Sequence, residues 1–242
     1  MKRLSRALLF GALLLTVGTR LRGQSTADPS GHWEGAIKLP ESQVVIEVDL
    51  AIDGTEPLAG TVTIPSQGMK AFPLSGVAVE GSSIRFQLRG AAGERLFKGV
   101  FSADGASISG EFTQAGYTLP FSLTRAGDAR TAEQPRSAPI DKELEGTWNG
   151  AVDANGVSER FVLSMSNRPD GTAVGSVLNV GQGLDIPISR ITQTDSSLTL
   201  DFRSVGGAYT GTLNREGTEV VGIYTQGPVT LPITFRRVAT AD

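Results

Sequence analysis

The stretch FKGVFSADGASISGEFTQAGYTLPFSLTR, residues 97–125, is informative about the fold because the chain carries a second version of it. It aligns without a gap to YTGTLNREGTEVVGIYTQGPVTLPITFRR, residues 209–237, and nine of the 29 positions are identical. Apolar and polar residues alternate in both versions, and Gly105 and Gly217 mark a turn at the same place. A period of two interrupted by turn residues predicts antiparallel strands joined by hairpins.

The repeat extends in both directions along the chain. GHWEG at 31–35 corresponds to GTWNG at 146–150, and SSIRFQL at 82–88 corresponds to SSLTLDF at 196–202. The offset between the copies drifts only from 115 to 112 residues, so the copies differ by small changes in loops. Each copy has about 95 residues, which is the size of a domain rather than of a solenoid unit.

The repeat therefore divides the chain into two domains. We predict β-domains at residues 28–126 and 144–238, joined at 127–143 by a polar linker with two prolines. Turn signals at intervals of roughly a dozen residues predict about eight short strands in each domain. Eight consecutive antiparallel strands are enough to close a small barrel. The predicted fold is all-β, with two tandem antiparallel up-and-down β-barrels.

The alternation also predicts which side chains face each interior. Ile46, Val48 and Leu50 fall on one face of a strand, and Glu47 and Asp49 fall on the other. The inward set of the first domain is nearly all apolar and comprises Trp33, Ile46, Val48, Leu50, Val62, Ile84, Phe86, Leu88, Phe101, Ile108, Phe112, Leu119, Phe121 and Leu123. In so small a domain this set favours a filled core over the alternative, a pocket for an apolar molecule.

The amino terminus predicts export. A basic start with Lys2, Arg3 and Arg6 precedes an apolar segment from Ala7 to Gly18, which is short for a bilayer span. We interpret residues 1–24 as a signal peptide and the protein as periplasmic or secreted, with an uncleaved membrane anchor as the alternative. No stable membrane insertion is expected after cleavage.

Charge and cysteine content exclude several classes of function. Residues 1–23 carry five basic residues and no acidic ones, which leaves 17 basic against 25 acidic residues in the remainder. Nucleic-acid binding needs clustered Lys and Arg to neutralise phosphates, so we expect no nucleic-acid partner. With no cysteine, the chain has neither disulfides nor thiolate metal ligands, and its stability must come from its core.

One pair of residues in each domain resembles the structural signature of lipocalin-like barrels. Each copy opens with Gly-x-Trp, at Trp33 and Trp148, and closes on an arginine of the last strand, at Arg125 and Arg237. In that family the first-strand tryptophan packs beneath the arginine and plugs the barrel. The resemblance implies that these four residues close the two barrels. The two arginines are also the candidates for pairing with a carboxylate on a bound ligand.

A second resemblance covers almost the whole of each copy. DPSGHWEGAIKLP, FKGVFSADGASISGEFTQ and LPFSLTR look like the amino-terminal β-domain that precedes the catalytic domain in many secreted bacterial serine hydrolases of the α/β-hydrolase type. In that family the β-domain is an accessory to the chemistry. The resemblance therefore implies an accessory module, here in two copies, and no activity of its own.

Searches for catalytic and metal-binding patterns agree with a noncatalytic protein. The chain has no Gly-x-Ser-x-Gly nucleophile turn, and its one histidine, His32, is replaced by Thr147 in the second copy. We interpret His32 as a surface or rim residue rather than as part of a triad or a metal site. We assign the acids at turns, among them Asp104 and Asp170, to turn formation, and we expect no acid on an inward face.

Together these patterns predict a noncatalytic exported binding or interaction module. The alternatives are an accessory partner of a separately encoded secreted hydrolase and a carrier of a small apolar ligand in a barrel interior. No cofactor or metal is expected. Gln67 with Gln182, and Thr113-Gln114 with Thr225-Gln226, are retained in both copies, which favours a structural role over a specific binding site.

Overall fold

The computed structural model describes residues 28–52, 58–90, 95–130, 135–154 and 157–239. The predicted signal peptide at 1–24 lies outside them. In the described ranges all regular structure is strand except one 3₁₀ turn, Pro65–Gln67, so the all-β class is confirmed. No helix in these ranges is long and apolar enough to cross a bilayer.

The first domain is a closed barrel of eight antiparallel strands, each paired with its neighbours in sequence. Strand β1 also pairs with β8, which closes the barrel and places Trp33 opposite Arg125. The strands are β1 Gly31–Lys38, β2 Gln43–Ala51, β3 Ala59–Ile64, β4 Met69–Glu80, β5 Ser83–Leu88, β6 Leu96–Phe101, β7 Ser107–Gln114 and β8 Tyr117–Gly127. This part of the fold matches the predicted up-and-down barrel.

The second domain differs from the prediction, because its nine strands form a curled sheet that is not closed. We refer to this open, curled sheet as the second barrel. The sheet stays open because its two edge strands, β12 and β13, are consecutive in the chain but do not pair with each other. The strands are β9 Gly146–Ala154, β10 Val157–Asn167, β11 Ala173–Asn179, β12 Leu184–Pro187, β13 Arg190–Thr194, β14 Ser197–Phe202, β15 Gly207–Leu213, β16 Glu219–Gln226 and β17 Val229–Arg237.

The ninth strand arises where the chain changes partners. In the first barrel β4 pairs with β3 and then with β5, with a register shift between Ser75 and Ala78. In the second domain Ile188 N donates to the backbone carbonyl of Gly175 on β11 at 3.0 Å. The next residue, Ser189, donates its N–H to the backbone carbonyl of Asp201 on β14 at 2.7 Å. The switch thus takes two residues, and the strand equivalent to β4 is divided into β12 and β13.

The core of the first barrel contains the predicted inward set. All fourteen residues are buried except Leu119, which is partly buried and packs against the core. Four phenylalanine rings, at positions 86, 97, 112 and 121, form a contiguous group with centroids 4.5–6.5 Å apart. The first interior is therefore filled, as such ring geometry makes a close-packed core.

Part of the predicted linker packs against the second sheet. Ile140, within the predicted linker at 127–143, is buried in the core of the second domain, as is Leu144, the first residue of that predicted domain. The Asn167 side chain receives the backbone N–H of Ile140 at 2.9 Å and donates to its carbonyl at 2.8 Å. Ser137 forms an isolated bridge with Ala173. The folded unit therefore begins before the predicted boundary, because single apolar residues, without any period, are enough to anchor this segment.

The two domains meet through the barrel ends that lie opposite the Trp33 and Trp148 ends. Met69 and Leu184 hold equivalent positions in the two copies. Leu184 is 8% exposed and packs into the core of the first barrel, whereas Met69 belongs to the core of its own barrel and also borders the cavity of the second domain. Both equivalent residues therefore lie at the contact between the domains.

Backbone contacts repeat the same symmetry. Lys70 N donates to the carbonyl of Ser204 at 2.9 Å, and Asp185 N, at the position equivalent to Lys70, donates to the carbonyl of Arg89 at 3.1 Å. Arg89 Nε also lies 2.7 Å from the Asp185 carboxylate. The donors are equivalent but the acceptors are one position apart, since Arg89 corresponds to Arg203, so the contact is approximately symmetric. The conserved segment containing Gln182 lies in this contact.

Replacing Leu184 with alanine should loosen the first barrel although the residue belongs to the second. We expect a loss of about 2–5 kcal/mol in the free energy of unfolding, the range for a buried leucine truncation. Hydrogen exchange should accelerate in β4 and β5. Val180→Ala, 37% exposed and nearby in the chain, is the control and should change stability little. Faster exchange confined to the second domain would contradict the packing of Leu184 in the core of the first barrel.

Candidate ligand cavity in the second barrel

The structure brings the four predicted closure residues together as two matching pairs. The guanidinium carbon of Arg125 lies 4.2 Å from the Trp33 ring centroid, and that of Arg237 lies 4.3 Å from the Trp148 centroid. Both indoles are fully buried. A guanidinium over an indole face gains cation–π attraction, which is stronger where water is excluded.

Backbone carbonyl groups hold each arginine in place. Arg237 donates through Nε to the carbonyl of Gly217 at 3.0 Å and through Nη1 to that of Glu145 at 2.8 Å. Arg125 donates to the carbonyls of Asp28, Ser30 and Gly105. The guanidinium groups are engaged at the closed ends of the barrels. Their other predicted role, pairing with a carboxylate on a bound ligand, stays a prediction.

The second barrel contains a cavity of about 380 Å³. Its walls are mostly apolar and aromatic, and Gln67 and Met69 of the first domain border it. The remaining lining residues are Glu159, Phe161, Val177, Asn179, Gln182, Leu184, Ile186, Phe202, Val205, Tyr209, Tyr224, Gln226, Val229, Leu231, Ile233 and Phe235. Volume and lining are typical of a site for a small organic molecule.

The two interiors differ because their rings are placed differently. In the described part of the second barrel, close ring contacts form two separate pairs, Phe202 with Tyr224 at 6.0 Å and Tyr209 with Phe235 at 5.3 Å. Two rings of the contiguous group are missing, because Leu200 stands at the position of Phe86 and Ile233, which lines the cavity, at that of Phe121. Ile186, also in the lining, corresponds to Phe72, another buried ring of the first core. Space therefore remains between the two pairs.

Glycines give the aromatic side chains room. Gly211 and Gly222 lie opposite each other on neighbouring strands, as Gly99 and Gly110 do in the first barrel. A Cβ atom at Gly222 would lie 2.6 Å from Cζ of Tyr209, well inside contact distance. These glycines therefore leave room for ring side chains in the interior.

Two tyrosines bring hydroxyl groups into the second interior. Tyr209 Oη lies 3.1 Å from the carbonyl of Val220 and 3.0 Å from that of Ile233, and its single proton is donated to one of them at a time. Tyr224 donates to Oε1 of Gln226 at 3.2 Å. Burial raises the pKa of both phenols, so they remain protonated donors at neutral pH.

The end of this cavity nearest the first domain is polar where the first barrel is apolar. Glu159, Asn179 and Tyr224 line the cavity, and their equivalents in the first copy are valine 44, isoleucine 64 and phenylalanine 112. The two apolar residues at 64 and 112 belong to the first core, and the valine packs against it. The second copy therefore places hydrogen-bonding groups at three positions that the first uses for packing.

The expectation that no acid lies on an inward face is wrong for Glu159. This residue precedes Phe161, Leu163 and Met165 at intervals of two on the same strand, so the alternation did contain the signal. The predicted inward set covers the first domain only, where the residue equivalent to Glu159 is the apolar Val44. Asn179 is buried, and its Nδ2 lies 3.5 Å from Glu159 Oε2.

His32 is 1% exposed, so its assignment as a surface or rim residue is wrong. Its Nδ1 lies 2.8 Å from Asp49 and its Nε2 lies 3.1 Å from Glu34, with Glu47 at 3.9 Å. The chain that leaves β8 covers this group, because Arg130 N donates to Asp49 Oδ1 at 2.7 Å. Carboxylates engage both ring nitrogens, which leaves neither to activate a serine hydroxyl.

The two turn acids have the predicted role. Asp104 Oδ1 accepts from Ser102 and from the backbone of Ala106, and Asp170 Oδ1 accepts twice from Thr172. These hydrogen bonds hold the pKa of both carboxyl groups below its ordinary value. Across the described ranges, no group of three or more His, Asp and Glu side chains is arranged to hold a metal ion.

Comparisons with known proteins add no family. No protein-family model matches the chain, and no curated protein matches it in sequence. One similar solved structure is a protein of unknown function in the DUF3598 family from Nostoc punctiforme, with 13% identity, 87% of this chain and 96% of that chain covered, and a TM-score of 0.26.

A second similar structure comes from Bacteroides fragilis and is described as a candidate outer membrane protein. It shares 12% identity, covers 85% of this chain and 95% of its own, and has a TM-score of 0.26. Likeness at this level carries no argument about function. What the chain does must therefore be argued from its own cavity.

Proposed function

We propose that the protein is a noncatalytic, exported binding module that takes up a small, largely apolar molecule in its second barrel. The observation that carries this proposal is the asymmetry of the two copies. The first barrel is filled by a contiguous group of rings, whereas the second holds a cavity of about 380 Å³ with polar groups at the end nearest the first domain. A cavity of that size loses packing contacts and destabilises the fold, so its presence favours a binding role.

The first barrel then has a supporting role. Its Gln67 and Met69 border the cavity of its neighbour, and its backbone bonds to Ser204 beside that cavity. A ligand in the second barrel would be covered by the first. This arrangement gives a reason for the tandem duplication, since one copy closes the site that the other provides.

The protein is also proposed to be exported, with association with a hydrolase as a second possible role. The sequence at 1–24 supports export, and the resemblance to hydrolase β-domains supports an association with a separately encoded secreted hydrolase as the second possibility. Coelution with such a hydrolase from the exported fraction would favour the accessory role.

Titration with N-phenyl-1-naphthylamine tests the binding function. This neutral fluorophore brightens in apolar surroundings and is small enough for the cavity. We expect saturable enhancement with one site per chain, and we expect 1-decanol to displace the probe competitively. Enhancement that rises without saturation, or that decanol leaves unchanged, would mean adsorption to the surface and would contradict a defined site.

A further inference from the structure

The polar end of the cavity, nearest the first domain, carries one acidic side chain, and the rest of the cavity has mostly apolar walls. Glu159 is the one ionisable carboxylate among the described lining residues, and no lysine or arginine is among them. Within the described ranges no ion pair involves Glu159. An ionised carboxylate partly removed from water needs a cation or hydrogen-bond donors as partners.

The neighbouring groups leave acceptor capacity on that carboxylate. Asn179 approaches one of its oxygens at 3.5 Å, while Asn179 Oδ1 accepts the backbone N–H of Gln182 at 3.0 Å. The side chain of Gln226 is engaged on both sides, since it accepts from Tyr224 and donates to the carbonyl of Val205 at 2.7 Å. A carboxylate offers about four lone-pair sites, so Glu159 has room for a donor that enters the cavity.

We infer that the second barrel prefers an amphiphile whose polar end is a cation or a hydrogen-bond donor, such as a primary amine, over one that ends in a carboxylate. This inference rests on the proposed binding function and names its ligand class. The amine would pair with Glu159 while its chain lies against the apolar walls. It replaces the expectation that an arginine meets a carboxylate headgroup, because both arginines are held by carbonyls elsewhere.

Divergence between the copies points the same way. The position of Glu159 is a valine in the first copy, and that of Asn179 is an isoleucine. Both changes put polar groups on the inward face of the copy with the cavity. The excess of acidic over basic residues in the chain adds a field that disfavours anionic ligands.

Competition between matched ligands tests the preference. Decylamine, 1-decanol and decanoate share one chain length and differ in the head group, and each is used below its micelle concentration at neutral pH. With N-phenyl-1-naphthylamine as the displaced probe, we expect decylamine to bind at least tenfold more tightly than decanoate, with decanol between them. Equal or tighter binding of decanoate would overturn the inference.

Glu159→Gln tests the residue behind the preference. This nearly isosteric change removes the charge, so the advantage of decylamine over decanoate should fall at least fivefold while decanol binding stays within twofold. Glu216→Gln, exposed and outside the cavity, is the matched control for net charge and should keep the wild-type ranking. An unchanged ranking in Glu159→Gln overturns the head-group inference alone. Failure of the fluorophore to bind wild-type protein overturns the binding function, and this inference with it.

Discussion

Replacing Ile186 and Ile233 together with phenylalanine is expected to weaken binding of N-phenyl-1-naphthylamine at least a hundredfold. Both residues line the cavity, and both are phenylalanine in the filled first barrel. Two added rings would occupy the space between the existing aromatic pairs. A hundredfold loss corresponds to about 2.7 kcal/mol of binding free energy.

The same variant distinguishes a hollow interior from a packed one. In a close-packed core, added ring volume costs about 1–3 kcal/mol of stability, whereas in a cavity the rings should be accepted with little or no loss. Thermal unfolding measured alongside binding reports both effects. Ile223→Phe makes the same change at a position 49% exposed and should leave binding intact. Binding that survives in the double variant would place the site outside this cavity.

The second large effect is expected from Arg237→Ala. The side chain covers the buried Trp148 ring and donates to two carbonyl groups that close the barrel end. Its loss removes the cation–π contact and leaves those acceptors without their donor. We expect a fall of about 2–4 kcal/mol in the free energy of unfolding, from the ranges for charged hydrogen bonds and cation–π pairs.

Urea denaturation followed by circular dichroism measures this loss. Arg236→Ala is the matched control, because the neighbouring side chain is 68% exposed and pairs with Glu219 at the surface. Such an exposed pair contributes less than about 1 kcal/mol. Arg237→Lys should not restore stability, since a single ammonium group cannot cover the indole and reach both carbonyls. Equal losses in the two alanine variants would remove the closure role.

Local pattern was enough to predict the fold class and much of the first core. Alternation predicted that Ile46, Val48 and Leu50 share an inward face, and all three are fully buried. The repeat predicted two related β-domains, and the resemblance to lipocalin-like barrels implied the pairing of Trp33 with Arg125. These features depend on contacts between strands that are close in sequence or joined by the barrel closure.

Features that depend on the second copy or on distant contacts were missed. The broken strand at Ile188 and Ser189 has no turn signature of its own. His32 is buried because residues near Arg130 return across β1 and β2, which no local period records. Leu184 packs in the core of the other domain. Alternation along a strand predicts which side chains face the interior of their own domain, but it does not predict contacts between domains.

Methyl NMR of isoleucine-labelled protein, titrated with N-phenyl-1-naphthylamine, shows whether the second barrel rather than the first holds the ligand. We expect large shifts for the methyl groups of Ile186 and Ile233, which line the cavity, and none for those of Ile46, Ile84 and Ile108 in the filled core. Shifts confined to the first barrel, or no shift in either interior, would contradict a site in the second barrel.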